Sequence, residues 1–341
     1  MFLSFGILKL LQNTLHGSTI EVEVVGLRQL TPRIREYLLA SPDGARLPRH
    51  DPGAHIEVHL AGAELGAFVR HYSLIGGAGA QPDAPHLYRI AVQREERGRG
   101  SDFIHRHLER GTRLRISPPR NHFMLGRNDG RSLLIAGGIG VTPIYSMLRS
   151  LVRRGRDFEL VYSGRAREAM AYHEEVLALA GARGALHLSG EHGGSHLDLR
   201  ELLGRQGGDT VAYVCGPEGM VHAVQAAARE LGWAPQRVRS EFFGAGHGQD
   251  DVGFEVRLRS SGRSVTVGRN TSILDALTSA GLELLFDCRR GECGLCQLAV
   301  VEADGPLEHR DRYLTAEERG EGRSMCICVS RIRGRHLVLD A

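Results

Sequence analysis

The chain has 341 residues, longer than one ordinary domain, so two or three are expected. Hydrophobic residues make up 42% and charged residues 24%, and the formal net charge is only +3. No basic block or aromatic-interleaved basic stripe occurs, which excludes nucleic acid as a partner.

Residues 1–18 form an N-terminal extension whose apolar run is too short to span a bilayer and lacks the marks of a signal peptide. Packing on the body is favoured there over membrane contact. From Thr19 the pattern turns to β. Ile20 to Val24 alternates, and His55 to Leu60, Val69 to Leu74 and Leu87 to Gln93 follow at short intervals. Strands at this spacing predict a small antiparallel barrel. A short helix is expected from Asp102 to Leu108 with Ser101 as its N-cap, and Leu114 onward closes the region.

After Gly126 strands and helices alternate. Strands are expected at 132–136, 159–162, 186–188 and 211–215, and helices at 143–152, 168–180, 199–203 and 218–231. That order predicts a doubly wound parallel sheet. A glycine-bearing linker follows at 246–251. The last region opens with a hairpin of 253–258 and 264–267. Thr271 or Ser272 then caps a helix over 273–280, and a closing strand lies at 337–339. The expected domains are therefore 19–125, 126–245 and 252–341.

Four stretches carry chemistry. On the barrel, Arg70-His-Tyr72-Ser73 would put a guanidinium and a tyrosine on one face, with a serine hydroxyl at the strand end. Taken alone, it reads as an ordinary half-exposed strand. Gly137-Gly138-Ile-Gly140-Val-Thr142-Pro143 lies between a strand and a helix, with Thr142 a natural N-cap and Pro143 a natural first helical residue. Its glycines would let a pyrophosphate approach the helix N-terminus. Cys215-Gly216-Pro217 ends a strand of the parallel sheet, where ligands of such sheets sit. Cys215 reads equally as a small buried apolar residue.

The fourth stretch is Phe286-Asp-Cys288-Arg-Arg-Gly-Glu-Cys293-Gly-Leu-Cys296. Five of the six cysteines crowd into positions 288–328. The C-x4-C-x2-C spacing is that of a plant-type [2Fe–2S] loop, completed by a later thiolate. Glycines supply the positive φ angles such a loop needs. Zinc usually takes two matched C-x2-C pairs, and only one exists here. The expected compartment is the reducing cytoplasm.

In this order, the motifs RHYSL, GGIGVTP, YVCGPEGM, SEFFG, CRRGECGLC and CVSRIRGRHLVLD resemble the phthalate dioxygenase reductase family. The resemblance runs from Thr19 to the C-terminus. It implies a multi-domain fold: an antiparallel β-barrel flavin domain, an α/β nucleotide domain and an α+β β-grasp ferredoxin domain. It also implies an NADH-dependent oxidoreductase with FMN rather than FAD and one [2Fe–2S] cluster, serving a terminal Rieske-type oxygenase. Carried over, Arg70, Tyr72 and Ser73 hold the flavin, and Ile90, Ala91 and Val92 contact its ring through their backbone. Arg99, Gly100 and Ser101 receive its phosphate. Gly138, Gly140, Thr142, Cys215, Gly216 and Pro217 line the nucleotide, and Phe243 sits against the flavin. Ser73, Cys215 and Phe243 are thus the expected catalytic residues, and Cys288, Cys293, Cys296 and Cys328 the expected iron ligands. Cys326 stands at the usual plant-type interval, but Cys328 is the cysteine of the tail motif. If both lay in one strand they would face the same side. Arg165 and Arg167, after the second strand of the α/β region, leave room for a 2′-phosphate, and NADH is expected from the resemblance alone.

Overall fold

A computed structural model describes residues 19–62, 66–76, 86–95, 99–191, 196–243, 251–269, 271–287, 289, 291, 293–311 and 313–341. The N-terminal extension, residues 246–250 of the expected linker, Cys288 and Arg290 lie outside the described residues. By internal contacts the described chain forms two compact units, one running to Phe243 and one beyond it.

The first unit begins with strands β1 (Ile20–Thr31), β2 (Ile34–Ala40), β3 (His55–Gly62), β4 (Gly66–Ser73), β5 (Leu87–Gln93) and β6 (Arg113–Ile116), with α1 (Arg99–His107) before β6. They form an antiparallel six-stranded sheet in the order β4-β3-β6-β1-β2-β5. Alternation decides what goes inside: Val22, Val24, Ile56, Val58, Ile90 and Val92 share one core, sealed by Ile104 of α1. Helix α1 starts three residues before the expected Asp102. Ser101 is therefore no N-cap; its Oγ accepts the Glu95 N–H at 3.0 Å.

The parallel sheet follows, built from β7 (Arg131–Gly137), β8 (Asp157–Gly164), β9 (Gly184–Leu188), β10 (Thr210–Gly216) and β11 (Val238–Phe242), in the order β11-β10-β7-β8-β9. Helices α2 (Val141–Arg153), α3 (His173–Ala180), α4 (Leu199–Gly204) and α5 (Glu218–Glu230) cover both faces. The two-residue period splits the strands cleanly. Leu134, Ala136, Leu160, Tyr162, Tyr213 and Cys215 pack on the side of α2 and α3, whereas Leu133, Ile135, Val161, Ala212 and Val214 pack on the side of α4 and α5. The first of these clusters also takes in Ile34, Ile75 and Ala91. One core therefore runs between the two sheets, across the division expected at 125/126.

Two helix expectations change. Gly140, not Thr142, precedes α2, so Thr142 lies within the first turn, and its hydroxyl donates to Ile139 O at 3.0 Å. The helix expected over 168–180 is broken: a short 3-10 turn spans Arg167–Ala169, and Tyr172 adopts a left-handed φ of 59° before α3 begins.

The second unit holds β12 (Phe254–Leu258), β13 (Ser264–Val267), α6 (Ile273–Ser279), β14 (Gln297–Ala303), β15 (Leu307–Glu308), α7 (Ala316–Glu321), β16 (Ser324–Cys326), β17 (Arg331–Ile332) and β18 (His336–Asp340). Its main sheet runs β13-β12-β18-β14-β16, with β12 and β18 parallel, and α6 packs its Ile273, Leu274 and Leu277 into the core. This is the expected β-grasp. Ser272 caps α6, accepting the Asp275 N–H at 3.0 Å. Asp251, expected at the end of the linker, is buried within this unit on Arg310 and Arg331.

Candidate functional site

In the first unit the barrel residues converge as expected. The Cβ that Gly100 lacks would stand 2.5 Å from Arg70 Nε, so the Arg70 guanidinium lies directly on the first turn of α1. A guanidinium beside unpaired helix N–H groups suits a phosphate. Ser101, in the same turn, accepts the Glu95 N–H on its Oγ at 3.0 Å. Tyr72 stands two residues from Arg70 on β4, and burial pushes its hydroxyl upward, so the phenol stays neutral. Ser73 ends the strand with a buried Oγ that has no hydrogen-bond partner among the described residues. A buried hydroxyl left so is costly unless a ligand meets it. Strand β5 lies at the edge of its sheet, so the outer side of Ile90–Val92 can serve a ligand; a His105 ring nitrogen already contacts Val92 O at 2.9 Å. These residues fit a flavin.

The nucleotide loops meet backbone to backbone. A Cβ on Gly140 would lie 2.2 Å from Cys215 O, and one on Gly216 would lie 3.0 Å from Gly137 Cα. Gly138 faces open space on the other side, with a φ of +53°. The two turns thus form one glycine-walled ledge at the C-terminal ends of β7 and β10, with Pro217 leading into α5. Cys215 itself is fully buried in the apolar cluster beside α2. Arg165 and Arg167 are exposed on the loop after β8. Phe243, one residue past β11, is 40% exposed, a large apolar ring with room for a partner.

One residue went unforeseen. Glu241 on β11 is buried and stands in register with Cys215 on β10. The available signal was a lone carboxylate between Ser240 and two phenylalanines in the SEFFG stretch.

In the second unit the cysteine loop has the backbone that its glycines imply. Arg289, Gly291 and Gly294 all have positive φ, at 51°, 73° and 74°. A Cβ on Gly291 would stand 2.7 Å from Asp311 Cα, and one on Gly294 would enter the Tyr313 ring at 2.3 Å. Both positions therefore need glycine for space as well as for φ. Arg289 is committed locally: Nη1 donates to Asp275 Oδ1 at 2.5 Å and the guanidinium stacks 4.2 Å from the Phe286 ring.

Cys326 and Cys328 do not share a strand face. Strand β16 ends at Cys326, and the Val329 and Ser330 N–H groups fold back to Cys326 O at 3.3 and 3.0 Å, which puts Cys328 in a turn. The turn nonetheless brings both thiols to Cys296. Hydrogen bonds with Cys326 and then Cys328 hold the Cys296 thiol well below its usual value. A thiol poised for ionisation between two others, next to a loop with positive φ at Arg289, Gly291 and Gly294, fits a metal–sulfur site.

Comparison with known proteins agrees with this geometry. A model described as an oxidoreductase NAD-binding domain matches residues 134–226, and one described as a 2Fe-2S iron-sulfur cluster binding domain matches residues 256–333. The chain is therefore a pyridine-nucleotide oxidoreductase with a [2Fe–2S] domain. It is 39% identical over 326 residues to the heme-dependent oxidative N-demethylase beta subunit of Ectopseudomonas mendocina, covering 95% of this chain and 99% of that protein. It is 37% identical over 325 residues to the vanillate O-demethylase oxidoreductase of a Pseudomonas species, covering 94% and 99%. The solved structure of phthalate dioxygenase reductase matches at 30% identity and a TM-score of 0.82, over 95% of this chain and 98% of that one. The chain belongs to the phthalate dioxygenase reductase family of oxygenase reductase components.

Proposed function

We propose that the protein carries electrons from NADH through FMN and one [2Fe–2S] cluster to a terminal Rieske-type oxygenase that hydroxylates or demethylates an aromatic substrate. A bound flavin accepts a hydride's two electrons and releases them one at a time, which the cluster can then carry singly. The observation that carries the reading is Arg70 lying on the first turn of α1, with the unpartnered Ser73 hydroxyl three residues away along the same strand. One end of that strand offers a site for a single phosphate and the other a hydrogen bond to a ring, which suits a mononucleotide better than a dinucleotide.

The chain's own residues divide the work. Arg70, Gly100 and Ser101 hold the phosphate, joined by the Arg99 backbone at the helix start. Tyr72 and Phe243 cover the ring, and Ile90 to Val92 meet its edge through the backbone. Gly138, Gly140, Thr142, Gly216 and Pro217 form the ledge for the pyrophosphate and nicotinamide, with Cys215 beneath it. Cys293, Cys296, Cys328 and Cys288 hold the irons, Cys326 packing beside Cys296.

A flavin mass of FMN in the heat extract supports the reading; FAD overturns its cofactor. Stopped-flow flavin bleaching with NADH and NADPH in parallel ranks the nucleotides. For the cluster, Cys328→Ser should abolish the visible absorbance while Cys326→Ser keeps it; loss at Cys326 alone would sink the assignment. A second reading has one specific support: a relative is named as a subunit of a heme-dependent demethylase. On that reading the acceptor is a haem oxygenase. Electron delivery from the reduced protein to a haem partner but to no Rieske partner would favour it.

A further inference from the structure

Two segments of the nucleotide side, helix α2 behind the Gly137–Gly140 turn and the loop after β8 that carries Arg165 and Arg167, send side chains out of their own sheet. Helix α2, which begins at the Gly137–Gly140 turn, carries Tyr145 and Arg149. Arg149 Nη1 donates to Gly76 O at 2.7 Å. The loop after β8 ends at Tyr172, whose ring lies 5.4 Å from that of Tyr145. The Tyr172 hydroxyl donates to Glu36 Oε2 at 2.8 Å. Glu36 is buried on β2 and also accepts from Arg89 Nη1 at 3.3 Å and Arg28 Nε at 3.2 Å. Arg89, buried on β5, donates in turn to Ile75 O at 3.3 Å and Gly76 O at 3.1 Å. Its guanidinium lies 5.7 and 5.8 Å from the Tyr145 and Tyr172 ring centroids.

The placement of these contacts matters. Ile75 and Gly76 lie two and three residues after Ser73, Arg89 precedes Ile90, and Glu36 stands opposite Ala91 in the β2–β5 register. The barrel side of the knot thus adjoins segments assigned to the flavin, by sequence at Ile75, Gly76 and Arg89 and by strand pairing at Glu36. Every nucleotide-side segment adjoins a nucleotide loop. A buried carboxylate shared by two arginines and a phenol tolerates few geometries, because any slip leaves charge unpaired away from water.

We infer that the Tyr172–Glu36–Arg89 knot sets the separation between nicotinamide and flavin, making Tyr172 a positioning residue for hydride transfer. The inference rests on the flavin and nucleotide sites proposed above. The step it governs moves one hydride, two electrons with one proton, from the reduced nucleotide to the flavin. Tyr172 touches neither; it acts by holding the two loops at one distance. Misplacement by about 1 Å can slow such a reaction by up to roughly a hundredfold.

The test is Tyr172→Phe in the full-length protein with its native cofactors, which removes one oxygen and keeps the ring. Stopped-flow mixing with NADH should show flavin bleaching slowed roughly tenfold at saturation, within the range such misplacement produces. The NADH Kd from the same traces should stay within about twofold, because no residue assigned to the nucleotide is changed. The long-wavelength charge-transfer absorbance of the nucleotide–flavin complex should fall. Without nucleotide, hydrogen exchange should rise at residues 73–76 and 163–172. Glu36→Gln keeps the shape and should move the rate, the absorbance and the exchange in the same directions while leaving the Kd within about twofold, so it decides the matter if Tyr172→Phe does not fold. Unchanged bleaching and absorbance in both variants would overturn the inference, as would a weakened Kd with an unchanged saturating rate. If the wild-type protein yields no flavin on extraction, the proposed site has failed and the knot has not been tested by it, so the exchange readout alone then decides whether the knot couples the loops.

Discussion

Among the described residues each of the two units buries one arginine almost completely, and the two are used for different ends. Arg89 shares a carboxylate with a tyrosine from the neighbouring sheet. Arg331 instead gathers its own unit: it donates to Thr271 O at 2.7 Å and to Val252 O and Gly268 O at 3.0 Å, and it pairs with Asp251 at 3.4 Å. Burial works against its charge and lowers its pKa, and the stacked Phe254 ring at 5.0 Å covers it. Backbone carbonyls are permanent partners within one fold, whereas a lone carboxylate and phenol can register one sheet against another. The same guanidinium chemistry thus closes a small domain in one place and aligns two layers in the other.

If that contrast is right, the two knots should fail differently. Arg331→Met should cost the second unit about 2–4 kcal/mol, because it leaves three carbonyls without their donor and Asp251 with Arg310 alone. Urea pulse proteolysis read by fragment mass would measure it, and flavin bleaching by NADH should remain at the wild-type rate. A loss of bleaching with an intact second unit would erase the distinction.

A smaller separation should appear with pH. Burial holds the His50 and His105 rings below their usual value of 6.5. The folded first unit therefore refuses protons that its unfolded chain accepts, and its stability declines as pH falls below about 6.5. In the second unit, burial would raise the Glu308 carboxyl, but hydrogen bonds from Arg333 and Arg310 pull it below 4.5. Backbone N–H groups of His336 and Arg335 hold Asp304 below 3.8. Those contributions are present above the unfolded values and are lost only as pH falls through the folded ones. Between about pH 6.5 and 5 the first unit should therefore weaken while the second holds, and the same proteolysis assay resolves both. The reverse order would contradict the assignment.

The smallest effect should come from a site outside both knots. Thr315 and Glu318 form a reciprocal capping box on exposed α7. Thr315→Ala should cost about 1 kcal/mol and leave both the bleaching rate and the cluster absorbance alone. A change in either would mean that stability and rate are not separable in this chain.

What could be read from the chain in advance depended on how local the cause was. The cysteine loop is a short-range pattern, and its glycines and spacing foretold positive φ at Gly291 and Gly294. Alternation and strand–helix rhythm likewise announced the two sheets of the first unit, whereas in the second unit they gave only a hairpin and a closing strand, and the β-grasp came from the family resemblance. The helix starts were misjudged where a good capping residue lay inside rather than before the first turn, as with Ser101 and Thr142. The break at Tyr172 has no local signature, since nothing about an aromatic residue suggests a left-handed backbone. Glu36 and Arg89 were not foreseen for another reason: each reads as an ordinary charge on a strand, and only the approach of a second sheet shows that they are buried. For Cys326 and Cys328 the sequence allowed only a conditional reading, that in one strand both would face the same side, and the turn after β16 removes the condition.

Tyr172 answers to two demands that ask for opposite replacements. Its backbone would welcome glycine or asparagine, which adopt the left-handed turn at a saving of roughly 1–2 kcal/mol, while its hydroxyl and ring admit neither. A saturation library at this codon, sorted once for heat resistance and once for turnover, should therefore enrich different residues in the two pools. In such a contest tyrosine wins only the second, and its persistence there would record selection acting on speed at the expense of robustness.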